Sequence, residues 1–316
     1  MQSRTRLCLS AAVLLTYTVA IAAQDWRRPE SRDRGKEFVG FIHPDELYWR
    51  PFILSSVQPS EFKLLSLDES TRARTQLVRL PPGWKQVSGY HSVDLEMFVV
   101  EGGIDAGGKS MGRYSYSYYP AGYAHEFSTQ GGATVLQWWN GQPDFTQSLV
   151  SKPDKLEAEA IEAWNFGDAP YVSPGKFPKF RAEPVWENSP IRMKLLRHDK
   201  RTGQMTWIVM IPGGGSSMSG EDTLPAWASS PSWQEGFLIA GDMTDSECLA
   251  LGQVAGSYGP GGYFFRPAGI RHGGLSQYSR TFAMWLLRSG AQHWVHYHQS
   301  CDQPSIAKQV KEGRQR

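Results

Sequence analysis

One six-residue word occurs twice in the chain. Pro120-Ala121-Gly122-Tyr123-Ala124-His125 and Pro267-Ala268-Gly269-Ile270-Arg271-His272 share the pattern P-A-G-x-x-H. Upstream of each, residues 96–103 (EMFVVEGG) and 235–242 (EGFLIAGD) form a second matching pair in the same order and at nearly the same offset. Two ordered matches of this kind indicate a tandem duplication of one structural unit. The length of 316 residues accommodates two such units, each with a core of its own.

The segments around these words read as short strands. Residues 61–65 (EFKLL), 75–80 (TQLVRL) and 97–101 (MFVVE) are examples, and residues 114–118 (YSYSY) alternate with period two. Pro81-Pro82-Gly83, Gly102-Gly103, Gly107-Gly108 and Gly131-Gly132 punctuate them. Aromatic residues reach 12%, which favours strands over long helices. The exception is residues 155–164 (KLEAEAIEAW), rich in helix formers, followed by a Pro/Gly-rich stretch. The expected organisation is a signal peptide over residues 1–23, a lead-in over 24–44, a first barrel over 45–140, a partly helical connection over 141–190, a second barrel over 191–290 and a tail over 291–316.

The N-terminus carries Arg4 and Arg6, then an apolar run of about 17 residues, Leu7 to Ala23, that ends in the small residues Ala20-Ile21-Ala22-Ala23. That is the order of a cleaved export signal, so a secreted or periplasmic location and no integral membrane span in the mature chain are expected. Removing Arg4 and Arg6 cancels the net charge of +2, and a neutral chain lacks the basic footprint that nucleic-acid binding requires. Cys8 leaves with the signal. Cys248 and Cys301 remain, able to pair in an oxidising compartment or to stay as buried thiols.

The repeated words resemble the two motifs of the cupin superfamily, G-x5-H-x-H-x4-E-x6-G and G-x5-P-x-G-x2-H-x3-N. In the first repeat Gly83, His91, Glu96 and Gly103 match the first motif, with Gly89 in place of its first histidine. Pro120, Gly122 and His125 match the second, with Thr129 in the Asn place. In the second repeat Gly261, Pro267, Gly269 and His272 match, with Ser276 in that place, and Glu235 stands for the acid while Ala228 and Ser230 replace the histidines. The resemblance covers about residues 60–140 and 200–290 and implies an all-β bicupin: two tandem jelly-roll β-barrels. Self-association through strands is a general tendency of such proteins. Residues 259–267 (GPGGYFFRP) and 233–238 (WQEGFL) are similar to an uncharacterised two-cupin family related to anti-sigma-factor cupins of the ChrR type.

Two imidazoles and a carboxylate converging inside a barrel form a facial triad. His91, Glu96 and His125 are therefore the expected ligands of a divalent metal ion: Fe, Mn, Ni, Co or Zn. Gly89 removes the usual fourth ligand and leaves an open position or a lower affinity. Glu235 and His272 are too few to hold a metal tightly and mark a degenerate pocket, with Glu235 pairing with Arg266, Arg271 or His272. The His296/His298 pair reads as a packing or surface strand, and Gly213-Gly214-Gly215 as a turn rather than a phosphate loop. The expected function is an exported metal-dependent cupin enzyme acting on a small molecule, with dioxygenase-like oxidation ahead of isomerase or lyase chemistry. The alternative is a non-catalytic ligand-binding or sensor cupin.

Overall fold

The computed structural model describes residues 35–152, 161–164, 190–200, 202–214, 227–249, 252–274, 277–290, 296–298 and 300–301. The proposed signal peptide lies outside them. Among the described residues there is no α-helix, and no helix long and apolar enough to cross a membrane.

The strands form four antiparallel sheets, two in each repeat. In the first repeat a seven-stranded sheet runs Ile161–Trp164, Tyr116–Tyr119, Leu95–Gly102, Ala133–Trp139, Arg74–Leu80, Ser60–Leu67, Arg50–Phe52. A five-stranded sheet, Thr146–Gln147, Lys85–Tyr90, His125–Ser128, Ile104–Ala106, Lys109–Met111, faces it across the barrel interior. The second repeat copies this plan. Its six-stranded sheet is Val39–Ile42, Tyr263–Arg266, Gln234–Gly241, Phe282–Ser289, Met205–Pro212, Arg192–His198. Its five-stranded sheet is Gly252–Tyr258, Met243–Leu249, Arg271–Gly273, Trp227–Ser229, His296–His298.

Strand alternation divides the apolar residues among three cores. Along Leu95–Gly102, Leu95, Met97 and Val99 fill the first barrel with Trp84, Trp139 and Val78. Phe98 points the other way and joins Tyr116, Tyr118, Leu136 and Trp138 against Trp233, Phe237, Phe265 and Leu286 of the second repeat. Trp207, Leu238, Phe264 and Trp285 fill the second barrel. The large sheets are thus buried on both faces, which is why residues 97–100 (MFVV) are apolar without alternation.

Two expectations change. Residues 161–164, the end of the expected helix, form a strand instead, pairing Ile161 with Tyr118 and Trp164 with Tyr116; residues 155–160 lie outside the described residues. Residues 39–42, assigned to the lead-in, pair Val39 with Phe265 and Ile42 with Tyr263. Tyr116–Tyr119 and Tyr263–Arg266 occupy equivalent places in the two repeats. Each would end its sheet with unpaired backbone groups, and each is covered by a strand from a flanking segment. That tertiary demand overrides local helix propensity.

Cys248 and Cys301 form a disulfide, with Cα atoms 5.5 Å apart, against Trp227 on the outside of the second barrel.

Candidate functional site

The Pro-x-Gly turns aim the motif histidines inward. Gly122 (φ +87°) and Gly269 (φ +83°) adopt the left-handed conformation that a side chain disfavours. Gly122 N–H donates to the His91 carbonyl at 2.8 Å, and Gly269 N–H donates to the Ser230 carbonyl at 2.8 Å. Each turn is thereby tied to the strand that carries, or in the second repeat lacks, the partner histidine.

In the first barrel His91 and His125 come together, their ring centroids 5.0 Å apart, at 3% and 8% exposure. Each ring is fixed through Nδ1. His125 Nδ1–H donates to the Tyr123 carbonyl at 2.9 Å, and His91 Nδ1–H donates to the Asp144 carbonyl. Trp139 meets His91 edge-on at 4.7 Å, and Tyr119 stacks on His125 at 4.4 Å. Both Nε2 atoms are buried without a hydrogen-bond partner. Burial lowers the pKa of His91 to about 4, the Asp144 groups opposing it, and that of His125 to about 3, assisted by the neighbouring His91. Two neutral imidazoles therefore stand side by side, each with a bare Nε2 lone pair.

Glu96 does not join them. It is the neighbour of Leu95 and Met97 on its strand, so it points out of the barrel, into the interface between the repeats. Its Oε1 accepts from Arg288 Nη2 at 2.8 Å and lies 3.7 Å from Arg197 Nη1. Its Oε2 accepts from Tyr116 Oη at 2.7 Å and from Thr206 Oγ1 at 2.6 Å. Burial opposes its ionisation, but Arg288 and Arg197, with the two hydroxyls, outweigh it and hold the pKa at about 2. The expected triad is thus corrected to a pair of histidines plus an interface carboxylate. Among the described residues no group of three His, Cys, Asp or Glu is placed to hold a metal ion. Nor is the place beside Gly89 open. A Cβ there would lie 2.5 Å from the Thr146 carbonyl and closer still to the Phe145 ring, so Phe145 takes the space of the absent histidine.

Glu235 is corrected in the same way. It pairs with none of Arg266, Arg271 or His272. It accepts from Arg288 Nη1 at 3.0 Å, from Tyr263 Oη at 2.5 Å and from Thr75 Oγ1, with Lys36 Nζ 3.6 Å away. Arg288 therefore joins the motif acids of the two repeats, and each acid takes a threonine hydroxyl from the opposite repeat. His272 remains half-buried in the second barrel, opposite Glu247 in register.

A polar cluster outside the repeated motifs occupies that second interior. Arg266 donates to Glu247 at 2.7 Å, to Asp245 at 2.6 Å and to Gln234 at 3.1 Å. Glu247 Oε2 has no partner. Burial, with Asp245 beside it, raises the Glu247 pKa to about 8 against the pull of Arg266, so the group is mostly protonated at neutral pH. Asp245 and Glu247 share one face of the strand Met243–Leu249, but Arg266 reaches them from Tyr263–Arg266, so no local spacing marks the cluster.

His91 lines a cavity in the first barrel together with Gln86, Gln137, Trp84, Met97 and Trp139. Phe52, Leu54, Val57 and Gln58 close one side of it and are the lining residues that reach solvent. The space at its centre takes a group about the size of a water molecule.

Residues 45–295 match the family described as Domain of unknown function (DUF4437). The chain belongs to this family. No curated protein matches this DUF4437 chain in sequence. Among solved structures, a "putative dioxygenase" from Nostoc punctiforme is similar at 20% identity and TM-score 0.63, covering 81% of this chain and 83% of that one. Oxalate decarboxylase from Bacillus subtilis is similar at 11% identity and TM-score 0.52, covering 87% and 81%. Vicilin from Corylus avellana is similar at 10% identity and TM-score 0.50, covering 81% and 86%. These likenesses show that the DUF4437 chain has the bicupin fold, two tandem jelly-roll β-barrels. An oxalate decarboxylase and a vicilin share it, so the fold alone does not select an activity.

Proposed function

We propose that the protein is an exported cupin that binds a small molecule in its first barrel and acts on it at a centre built from His91 and His125. The observation that carries this reading is the pair of adjacent buried imidazoles, each with a partnerless Nε2 atom. Leaving such groups unsatisfied costs roughly 1–3 kcal/mol each, a cost that a bound group removes. The basic-apolar-small N-terminus and the Cys248–Cys301 disulfide support export.

The two nitrogens fit two ligand positions of a divalent ion, and Glu96 does not supply a third. His91 and His125 are the residues that would hold the ion, leaving its other positions to water or substrate. A divalent ion bound there supplies Lewis-acid polarisation or a site for oxygen activation, and dioxygenase-like oxidation is preferred over isomerase or lyase chemistry. The residues themselves orient the site: the Tyr123 and Asp144 carbonyls hold the imidazole tautomers, while Trp139, Tyr119 and Phe145 fix the rings and exclude water. The withdrawal of Glu96 favours a second reading, a non-catalytic ligand-binding or sensor cupin, because two neutral donors hold a metal weakly.

Metal analysis of the purified mature protein, with cobalt(II) titration followed by its visible absorption, tests the reading. We expect one ion per chain, lost in His91→Ala and His125→Ala and retained in Glu96→Gln. Retention by both alanine variants, or no binding above background, overturns the metal centre; ligand binding without metal would then establish the second reading.

A further inference from the structure

The second barrel holds a carboxyl oxygen that the protein leaves without a counterpart. Glu247 is fully buried on the inward face of Met243–Leu249. Antiparallel register puts Val254 beside it on one side, His272 on the other and the small Ala228 beyond His272, all on that face. The row reaches solvent at Val254, which is 43% exposed, and at the half-buried His272. Arg266 is the cation of the cluster, and it serves two acids. Asp245 is satisfied: its Oδ2 accepts from Arg266 at 2.6 Å and its Oδ1 from the Ser246 N–H at 2.8 Å. Glu247 Oε1 accepts from Arg266, while Oε2 has no hydrogen-bond partner among the described residues. With both acids ionised the cluster is one positive charge short. One open oxygen, with no group of three His, Cys, Asp or Glu placed around a metal among the described residues, suits a monovalent N–H donor better than a metal ion.

We propose that the second barrel binds a primary alkylammonium, its head on Glu247 Oε2 and its alkyl chain along Val254. The titratable and charged groups around Glu247 are Asp245 on its own strand, Arg266 across the interior, His272 on one neighbouring strand and Tyr258 on the other. Burial keeps the Glu247 proton on to about pH 8 and holds the Tyr258 phenol neutral well beyond that. An arriving ammonium ionises Glu247, whose proton leaves to solvent as the cation binds, so affinity rises with pH. The alkylammonium itself stays charged to about pH 10.

Calorimetry of n-butylammonium, n-butanol and butyrate with the mature protein at physiological ionic strength tests the proposal, with thermal melts run on each variant. We expect n-butylammonium to bind roughly tenfold or more tightly than either control and to release about one proton at pH 7, read from the buffer dependence of the heat. Its affinity should rise at least about tenfold from pH 6 to pH 9. Glu247→Gln should abolish the proton release and weaken binding about tenfold. Val254→Lys places a tethered ammonium opposite Glu247 at an exposed position and should block the site. Controls that bind as tightly as n-butylammonium, no binding at millimolar concentration, binding without proton release, or an unchanged Glu247→Gln overturns the proposal. If Glu247→Gln loses its fold in the melt, Val254→Lys decides: n-butylammonium bound to it as to the wild type overturns the proposal.

Discussion

At the scale of the residue, burial and partner together set each ionisable group's state. Glu96 and Glu247 are both buried acids with an arginine partner. Glu96 faces Arg288 and Arg197 and two hydroxyl donors, and it is held ionised. Glu247 shares Arg266 with Asp245, and burial keeps its proton on to about pH 8. The folded protein therefore holds a proton that the unfolded chain releases near the ordinary value of 4.5. Between these values the folded state binds more protons, so this group's contribution to stability is complete below 4.5 and falls as the pH rises to about 8. Glu247→Gln should remove that component. Urea midpoints at pH 5, 7 and 9 should fall less steeply for the variant than for the wild type; parallel curves would show that Glu247 is ionised in the fold.

At the scale of the element, one strand decides which motif residues belong to the site. In Leu95–Gly102, Leu95, Met97 and Val99 face the barrel, while Glu96, Phe98 and Val100 face the other repeat. Spacing between His91 and Glu96 satisfies the motif, yet the face is wrong by one residue. Leu95 is the residue that faces inward. Leu95→Glu should therefore bring a carboxylate to the two histidines. Without metal the buried charge should destabilise the fold by about 3–5 kcal/mol. With cobalt(II) or manganese(II) the loss should be largely recovered, and metal affinity should exceed that of the wild type at least tenfold. Thermal melts with metal and with chelator check this, and a variant indifferent to metal would show that position 95 does not reach the histidine pair. The strands at Val39–Ile42 and Ile161–Trp164 make a related point: each is recruited by a sheet end left open in tertiary structure, not by its own sequence pattern.

At the scale of the whole molecule, the duplication has been put to use at the interface. The equivalent faces of the two large sheets pack on each other, with the motif acids Glu96 and Glu235 buried between them and bridged by Arg288. Trp138 stands at the place in the first repeat that Arg288 holds in the second, so one cation serves both acids. Removing it leaves two buried carboxylates with poorer compensation. Arg288→Ala should cost about 3–5 kcal/mol, and adding Glu96→Gln and Glu235→Gln should recover part of the loss. Denaturant unfolding of the single and triple variants measures this; a cost below about 1 kcal/mol would show that Arg197 and Lys36 already neutralise the pair.

Much was legible before any coordinates. The repeated words, the Pro-x-Gly turns and the strand-length apolar runs specify two β-barrels, because turn chemistry and period-two patterning act locally. His91 and His125 follow from the same local rules, since each is held next to a turn. Three things belong to the tertiary structure alone. Glu96 and Glu235 leave the barrels because the faces they occupy are buried by the other repeat. Phe145, far along the chain, fills the space beside Gly89. The Asp245–Arg266–Glu247 cluster exists only because two strands from different parts of the second repeat share an interior. Each of these depends on which residues, distant in sequence, compete for the same buried volume, and no local spacing contains that information.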